Sequence, residues 1–110
     1  MKNDAPNLPA SVAGYFSAET SDPKTAARFF AEDGVVFDEG HTHAGRAAIS
    51  RWKSETMKKY RYTSQPLTTK TSGSVTTVTV RLTGSFPGSP IEVRQRFTLK
   101  NDAISRLEIG

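Results

Sequence analysis

The sequence contains no cysteine. Disulfides, thiolate metal sites and cysteine nucleophiles are therefore excluded, and the composition fits a reducing compartment. No stretch approaches the ~20 apolar residues that a helix needs to span a bilayer. Met1 to Pro9 is polar where a signal peptide carries its apolar core. A cytoplasmic protein without membrane contact is expected. Also missing are the glycine-rich phosphate-binding patterns, the GxSxG elbow and the HExxH zinc helix. The only two histidines, His41 and His43, stand one residue apart and share a face if that stretch is a strand. Two imidazoles with no third ligand nearby make an incomplete zinc site, so no metal is expected. An acid–base role for one imidazole in or near a pocket fits the pair better.

What is present is enough for one domain. The chain has 110 residues, long enough for a genuine hydrophobic core, and divides into a loose tail at 1–7 and a single domain at 8–110. Net charge is +4 and the pI is near 9.6, which raises the question of nucleic acid. The basic residues are dispersed, however. Their densest cluster, Arg51, Lys53, Lys58, Lys59 and Arg61, is interrupted by Glu55 and reads as a solvated helix face. Nucleic acid is not an expected partner.

Local signals order the elements. Asn7 can cap a first helix near 8–20, with Leu8, Val12, Tyr15, Phe16 and Glu19 on one face. Asp22-Pro23 starts a second helix near 22–33, with Ala26, Ala27, Phe29 and Phe30 as its apolar side and Gly34 as its C-terminal glycine. Val35 to Asp38 is a short strand, Glu39-Gly40 a turn, and His41 to Ala44 the returning arm of a hairpin. A third helix runs from about Arg46 to Tyr60, with Ala48, Ile49, Trp52 and Met57 on one stripe. The rest is strand-like: Arg61 to Thr71, where Pro66 marks an edge or a bulge, then Val75 to Phe86, Ile91 to Lys100, and Ile104 to Ile109. Helices first and a long meander after them make an α+β arrangement.

Three polar residues break the apolar pattern. Gln95 shares a strand face with Ile91, Val93, Phe97 and Leu99, while Glu92, Arg94 and Arg96 point the other way. A buried amide without partners costs about 1–3 kcal/mol, so Gln95 either bonds to a neighbour or a buried water, or lines a pocket. Asp38 ends the first strand on the face of Val36. It fits a general base in apolar surroundings, but the pattern by itself favours a turn residue bonded to local backbone. Tyr15 lies on the apolar stripe of the first helix, either in the core or pointing its hydroxyl into a pocket.

The run Phe29-Phe30-Ala31-Glu32-Asp33-Gly34-Val35-Val36-Phe37-Asp38-Glu39-Gly40-His41-Thr42-His43-Ala44-Gly45-Arg46-Ala47-Ala48-Ile49 resembles the SnoaL-like branch of the NTF2-like superfamily. The order of elements is similar along nearly the whole chain. The resemblance implies an NTF2-like cone, a strongly curved antiparallel sheet wrapped by three N-terminal helices. It also implies a pocket. In ketosteroid isomerase, a member of this superfamily, a tyrosine of the first helix and a protonated aspartic acid of a late strand bind the oxyanion, and an aspartate ending the first strand is the base. Tyr15, Gln95 and Asp38 fall at the corresponding places. Gln95 cannot act as a carboxylic acid, the loop from Asp38 to Gly45 looks shorter than the isomerase's, and Arg94 and Arg96 face away from where an epoxide hydrolase needs its arginine.

The expectation is a small-molecule enzyme or binding domain with a hydrophobic pocket. Asp38 would move a proton beside a carbonyl while Tyr15 and Gln95 hold its oxygen, with pocket walls from Phe16, Phe30, Val36, His43, Trp52 and Phe97 and no cofactor. The alternative is a non-catalytic binding or dimerisation module. A homodimer would use the outward sheet face, where Thr77, Thr79, Arg81 and Thr83 stand beside Glu92, Arg94 and Arg96.

Overall fold

The computed structural model describes residues 7–110; the expected tail lies outside the described residues except for Asn7. Helix α1 spans Ala10–Ala18 and α2 spans Pro23–Arg28. Asp22 caps α2 as its sequence signal implies: its carboxylate accepts from the Thr25 backbone N–H at 3.2 Å and from the Thr25 hydroxyl at 2.7 Å. Asn7 does not cap α1. Pro9 holds that position with no side-chain bond.

The second helix is shorter than its sequence suggests. The chain extends from Phe30, and β1 runs Phe30–Asp38. Gly34 is therefore a strand residue and not a helix terminator. A Cβ there would come within 3.0 Å of the Ala31 and Ile104 carbonyl oxygens, so the bare backbone permits the close approach of β1 to its neighbour. A tight turn at Glu39-Gly40, both with positive φ, leads to β2 (His41–Ala44). Helix α3, Arg46–Tyr60, follows. Strands β3 (Thr63–Ser72), β4 (Val75–Thr83), β5 (Ile91–Lys100) and β6 (Ala103–Ile109) complete the chain.

The six strands form one sheet in the order β2-β1-β6-β5-β4-β3. Two features differ from the expectation of an antiparallel sheet behind three leading helices. First, β1 and β6 run parallel, whereas the other four pairings are antiparallel. Hairpins dictate antiparallel direction only between consecutive strands; β1 and β6 meet from opposite ends of the chain, and no local turn sets their sense. Second, only α1 and α2 precede the sheet; α3 follows its first hairpin. Ladder irregularities between Phe30 and Val35, at Pro66/Thr68 and at Thr98/Leu99 bend the sheet into a curve. Pro66 sits at a bulge on the edge strand β3, where the missing N–H costs no ladder bond.

The core lies on the concave side. Val12, Tyr15, Phe30, Val36, Ile49, Val78, Val80, Phe97, Ile104 and Leu107 are essentially inaccessible. Burying each such large side chain contributes about 1.5–3 kcal/mol. No helix among the described residues is long and apolar enough to cross a membrane.

Candidate functional site

Asp38 is the last residue of β1, paired with His41 across the hairpin. The strand alternation that buries Val36 also turns the Asp38 side chain inward, where it is half-buried. There the indole Nε1 of Trp52 on α3 donates to its Oδ2 at 3.1 Å. The His43 ring stacks on the Trp52 indole, with centroids 5.7 Å apart and planes 28° from parallel. Loss of water around the carboxylate raises the Asp38 pKa, the Trp52 hydrogen bond opposes that rise, and Glu39 adds to it. The turn-capping alternative does not hold: the side chain bonds to an indole, not to backbone.

Asp38 borders a cleft of about 620 Å³ between α3, the outer end of β4–β5 and the chain's C-terminal residues. Trp52, Leu82, Phe86, Ile91 and Val93 supply apolar walls, and Gln95 lies among them. Gln95 is 3% exposed, and its side-chain carbonyl oxygen has no partner among the described residues. Its β5 position, across from Val78 on β4 and Ile109 on β6, fixes that inward direction. Of the three polar residues singled out from the sequence, Asp38 and Gln95 thus share one cleft.

Tyr15 does not line it. Its ring is fully buried, edge-on to Phe16, Phe30 and Phe97 at centroid distances of 5.4–5.7 Å, and its hydroxyl has no hydrogen-bonded partner among the described residues. Burial first, then the nearby Glu19 charge, pushes its pKa well up. The α1 stripe that carries Tyr15 packs into the aromatic core, and the core takes the ring with it. Four of the expected pocket walls go the same way: Phe30, Val36 and Phe97 belong to the core cluster, Phe16 packs against it half-buried, and none of them borders the cleft. Trp52 borders the cleft, and His43 borders a smaller recess of about 180 Å³ that shares Asp38 and Trp52 with the cleft, beside His41, Glu55 and Tyr60. No group of three or more His, Asp or Glu side chains stands close enough to hold a metal among the described residues.

One part of the site escaped the sequence reading. Lys53 is not on a solvated face; it is 3% exposed, and its Nζ lies 3.0 Å from Oε2 of Glu19, itself 1% exposed. Lys53 also donates to the Tyr62 hydroxyl at 2.5 Å, and that hydroxyl donates to the same Glu19 oxygen at 3.0 Å. The Lys53 ammonium stands 4.2 Å from the Trp52 ring centroid, a cation–π distance. Lys53 and Tyr62 border the cleft; Glu19 lies behind them. The signal was present: Glu19 continues the α1 stripe four residues after Tyr15, and Lys53 follows Ile49 by four on α3. The site therefore sets a half-buried carboxylate and a buried, paired ammonium on one apolar cleft. Lys53 is among the charges that pull the Asp38 pKa back down.

The family model of the SnoaL-like domain matches residues 12–107. The chain belongs to the SnoaL-like family. Among solved structures, this SnoaL-like domain is similar to a protein of Sinorhizobium meliloti provisionally assigned as a polyketide cyclase, with 39% identity, 94% of this chain and 95% of that chain covered, and a TM-score of 0.90. It is also similar to a protein of Catenulispora acidiphila with a ketosteroid isomerase-like fold, solved in complex with trimethylamine, at 23% identity over 94% and 86% of the two chains and a TM-score of 0.83. A phenazine biosynthesis-related protein of Pseudomonas aeruginosa shares the fold at 18% identity, covering 90% and 71%, with a TM-score of 0.75. No curated protein matches the chain.

Proposed function

We propose that this SnoaL-like domain binds an apolar carbonyl compound in the cleft and moves a proton on it, in chemistry of the cyclase or isomerase type, with Asp38 as the base. The observation that carries the reading is Asp38 itself: a carboxylate of raised pKa, oriented by the Trp52 N–H, on the wall of an otherwise largely apolar cleft. A carboxylate whose pKa is raised by loss of water is a stronger base than an exposed one, and so better able to take a proton beside a carbonyl. Likeness at 39% identity to a protein provisionally assigned as a polyketide cyclase supports the same class of substrate. Gln95 offers an amide to a ligand polar group. Tyr15, behind the cleft wall, supports the site without meeting the ligand. The reaction as read calls on no metal or organic cofactor.

The test is deuterium exchange in heavy water across a panel of apolar ketones and 1,3-diketones, followed by proton NMR. Wild-type protein should accelerate exchange beside the carbonyl for at least one panel member, and Asp38→Asn should lower that rate at least ~10²-fold while leaving binding intact. Binding without exchange in wild type would favour a non-catalytic binding domain. We also propose that two copies pair through the outward sheet face, where Thr77, Thr79 and Arg94 join ion-paired Arg81–Glu92 and Arg96–Glu108.

A further inference from the structure

The buried ammonium of Lys53 is more than a structural tie. A lysine ammonium has three N–H donors and no acceptor. One meets Glu19 Oε2 and one meets the Tyr62 hydroxyl. The Tyr62 hydroxyl has a single hydrogen, which it gives to Glu19, so it has none to offer a ligand. The third Lys53 N–H has no hydrogen-bond acceptor among the described residues; the ammonium also stands over the Trp52, Tyr62 and Tyr15 rings, at 4.2, 5.2 and 5.4 Å to their centroids. A buried ion pair is costly to desolvate and is a poor way to gain stability. This one borders a cleft, keeps a donor unspent, and sits close enough to the Asp38 carboxylate to modulate it.

We infer that Lys53, held in place by Glu19 and Tyr62, receives the carbonyl oxygen of the substrate, which enters the cleft carbonyl end first with its apolar body against Leu82, Ile91 and Val93. The inference rests on the reading of Asp38 as base. In the step it describes, the Asp38 carboxylate takes the proton from the carbon beside the carbonyl. The C–H electron pair becomes the C=C bond of an enolate, and the carbonyl π pair moves onto oxygen. Lys53 keeps its proton and strengthens its hydrogen bond to that oxygen as charge develops there. The proton on the Asp38 carboxyl then returns to carbon, so atoms and electrons balance with no further reagent. Glu19 and Tyr62 are positioning residues: they fix the ammonium without touching the substrate. The substrate class narrows to compounds with a carbonyl at one end of an apolar body.

The test uses 4-nitrophenol, whose coloured anion mimics an enolate oxygen on a flat apolar body. It is run on Asp38→Asn protein, so that the Asp38 carboxylate does not oppose the anion and the result does not depend on Asp38 acting as base. The bound dye should ionise at least about one pH unit below the free dye, as expected for an opposite charge within a few ångströms. Lys53→Met alone leaves Glu19 buried and unpaired and threatens the fold, so the decisive variant adds Glu19→Gln and Lys53→Met together, removing both charges. That protein should bind the dye with no downward shift. Tyr62→Phe, which keeps the ammonium, should retain most of it. In exchange assays with an accepted ketone, the same charge-free pair in an otherwise wild-type chain should lower kcat ~10²-fold with a small change in KM. A dye that fails to bind, that binds with its ionisation unshifted or raised, or whose shift survives the charge-free pair overturns the inference. Loss of exchange in Asp38→Asn alongside any of those dye results leaves Asp38 as the base and removes Lys53 from the reaction.

Discussion

The concave side of the sheet has two ends, both furnished with aromatic rings. At one, Tyr15, Phe16, Phe30 and Phe97 meet edge to face with centroids 5.4–5.7 Å apart and fill the space between α1 and the sheet. At the other, Trp52, Tyr60, Tyr62 and Phe86 stand around the cleft. The difference lies in what the polar atoms do. In the filled end the lone hydroxyl, on Tyr15, has no partner among the described residues, and ring–ring contact sets the packing. In the open end three of the four rings are tethered through their polar atoms: Trp52 to Asp38, Tyr62 to Glu19 and Tyr60 to Glu39. Tethering fixes each ring against the wall and keeps the rings from collapsing onto one another. Open space survives in a small domain because hydrogen bonds hold its lining apart.

That contrast can be broken most directly by truncation. Phe97→Ala at the filled end should destabilise by about 3–5 kcal/mol, the usual effect of removing a fully buried aromatic ring. Leu82→Ala on the cleft wall should cost well under half as much, because Leu82 is only partly buried and already faces space. Chemical denaturation measures both. Equal losses would mean that the two ends are packed alike. Glu19→Gln comes next: it leaves the Lys53 ammonium buried without its counter-charge and should cost about 3 kcal/mol, whereas combining it with Lys53→Met should recover most of that loss.

How much of this was legible in the sequence depends on the range of the interaction. Helix α3 has the bounds its stripe and flanking residues indicate, and the hairpin at Glu39-Gly40 and the cap at Asp22-Pro23 are where local chemistry puts them. The β5 alternation correctly sends Gln95 inward and Arg94 and Arg96 outward. Misread features were set by partners distant in the chain. Gly34 has the form of a helix terminator, but its role comes from the Ile104 backbone against it. Tyr15 and Phe97 sit on the expected faces, yet which end of the concavity those faces meet depends on how α1 crosses the sheet. Lys53 counts as one basic residue among several until Glu19, 34 positions earlier, is seen to bury it.

Asp38 gives a gentler test of the open end. Its folded-state pKa is raised, chiefly because burial disfavours the charged form. Between the ordinary value of 3.8 and the raised folded value, the native protein binds more protons than the unfolded chain. Stability therefore falls as pH rises through that window: the favourable contribution is fully present below 3.8 and gone above the folded pKa. Asp38→Asn removes the titration. Thermal unfolding of the variant should match wild type in acid and exceed it slightly near neutrality. A variant less stable at neutral pH would mean that the ionised carboxylate is a net support for the fold, through the Trp52 bond.

The smallest effect belongs to the convex face, which has neither a filled nor an open end. Arg96 and Glu108 are cross-strand neighbours 3.2 Å apart, both solvent-accessible. Exposed pairs of this kind contribute about 0–1 kcal/mol, because water screens them and ordering the side chains opposes the gain. Arg96→Glu sets two like charges opposite each other, and in a lone copy it should cost no more than about 1 kcal/mol. Two copies apposed through this face would feel it differently. The reversed charge would meet the partner's Thr- and Arg-rich row with its ion pairing disrupted, and the interface would weaken far more than the fold. Sedimentation at micromolar concentration should therefore show wild type as a dimer and Arg96→Glu shifted towards monomer, while the two unfold at nearly the same denaturant concentration. A wild-type monomer, or a dimer indifferent to the substitution, would remove the convex face as an interface and leave it a solvated surface.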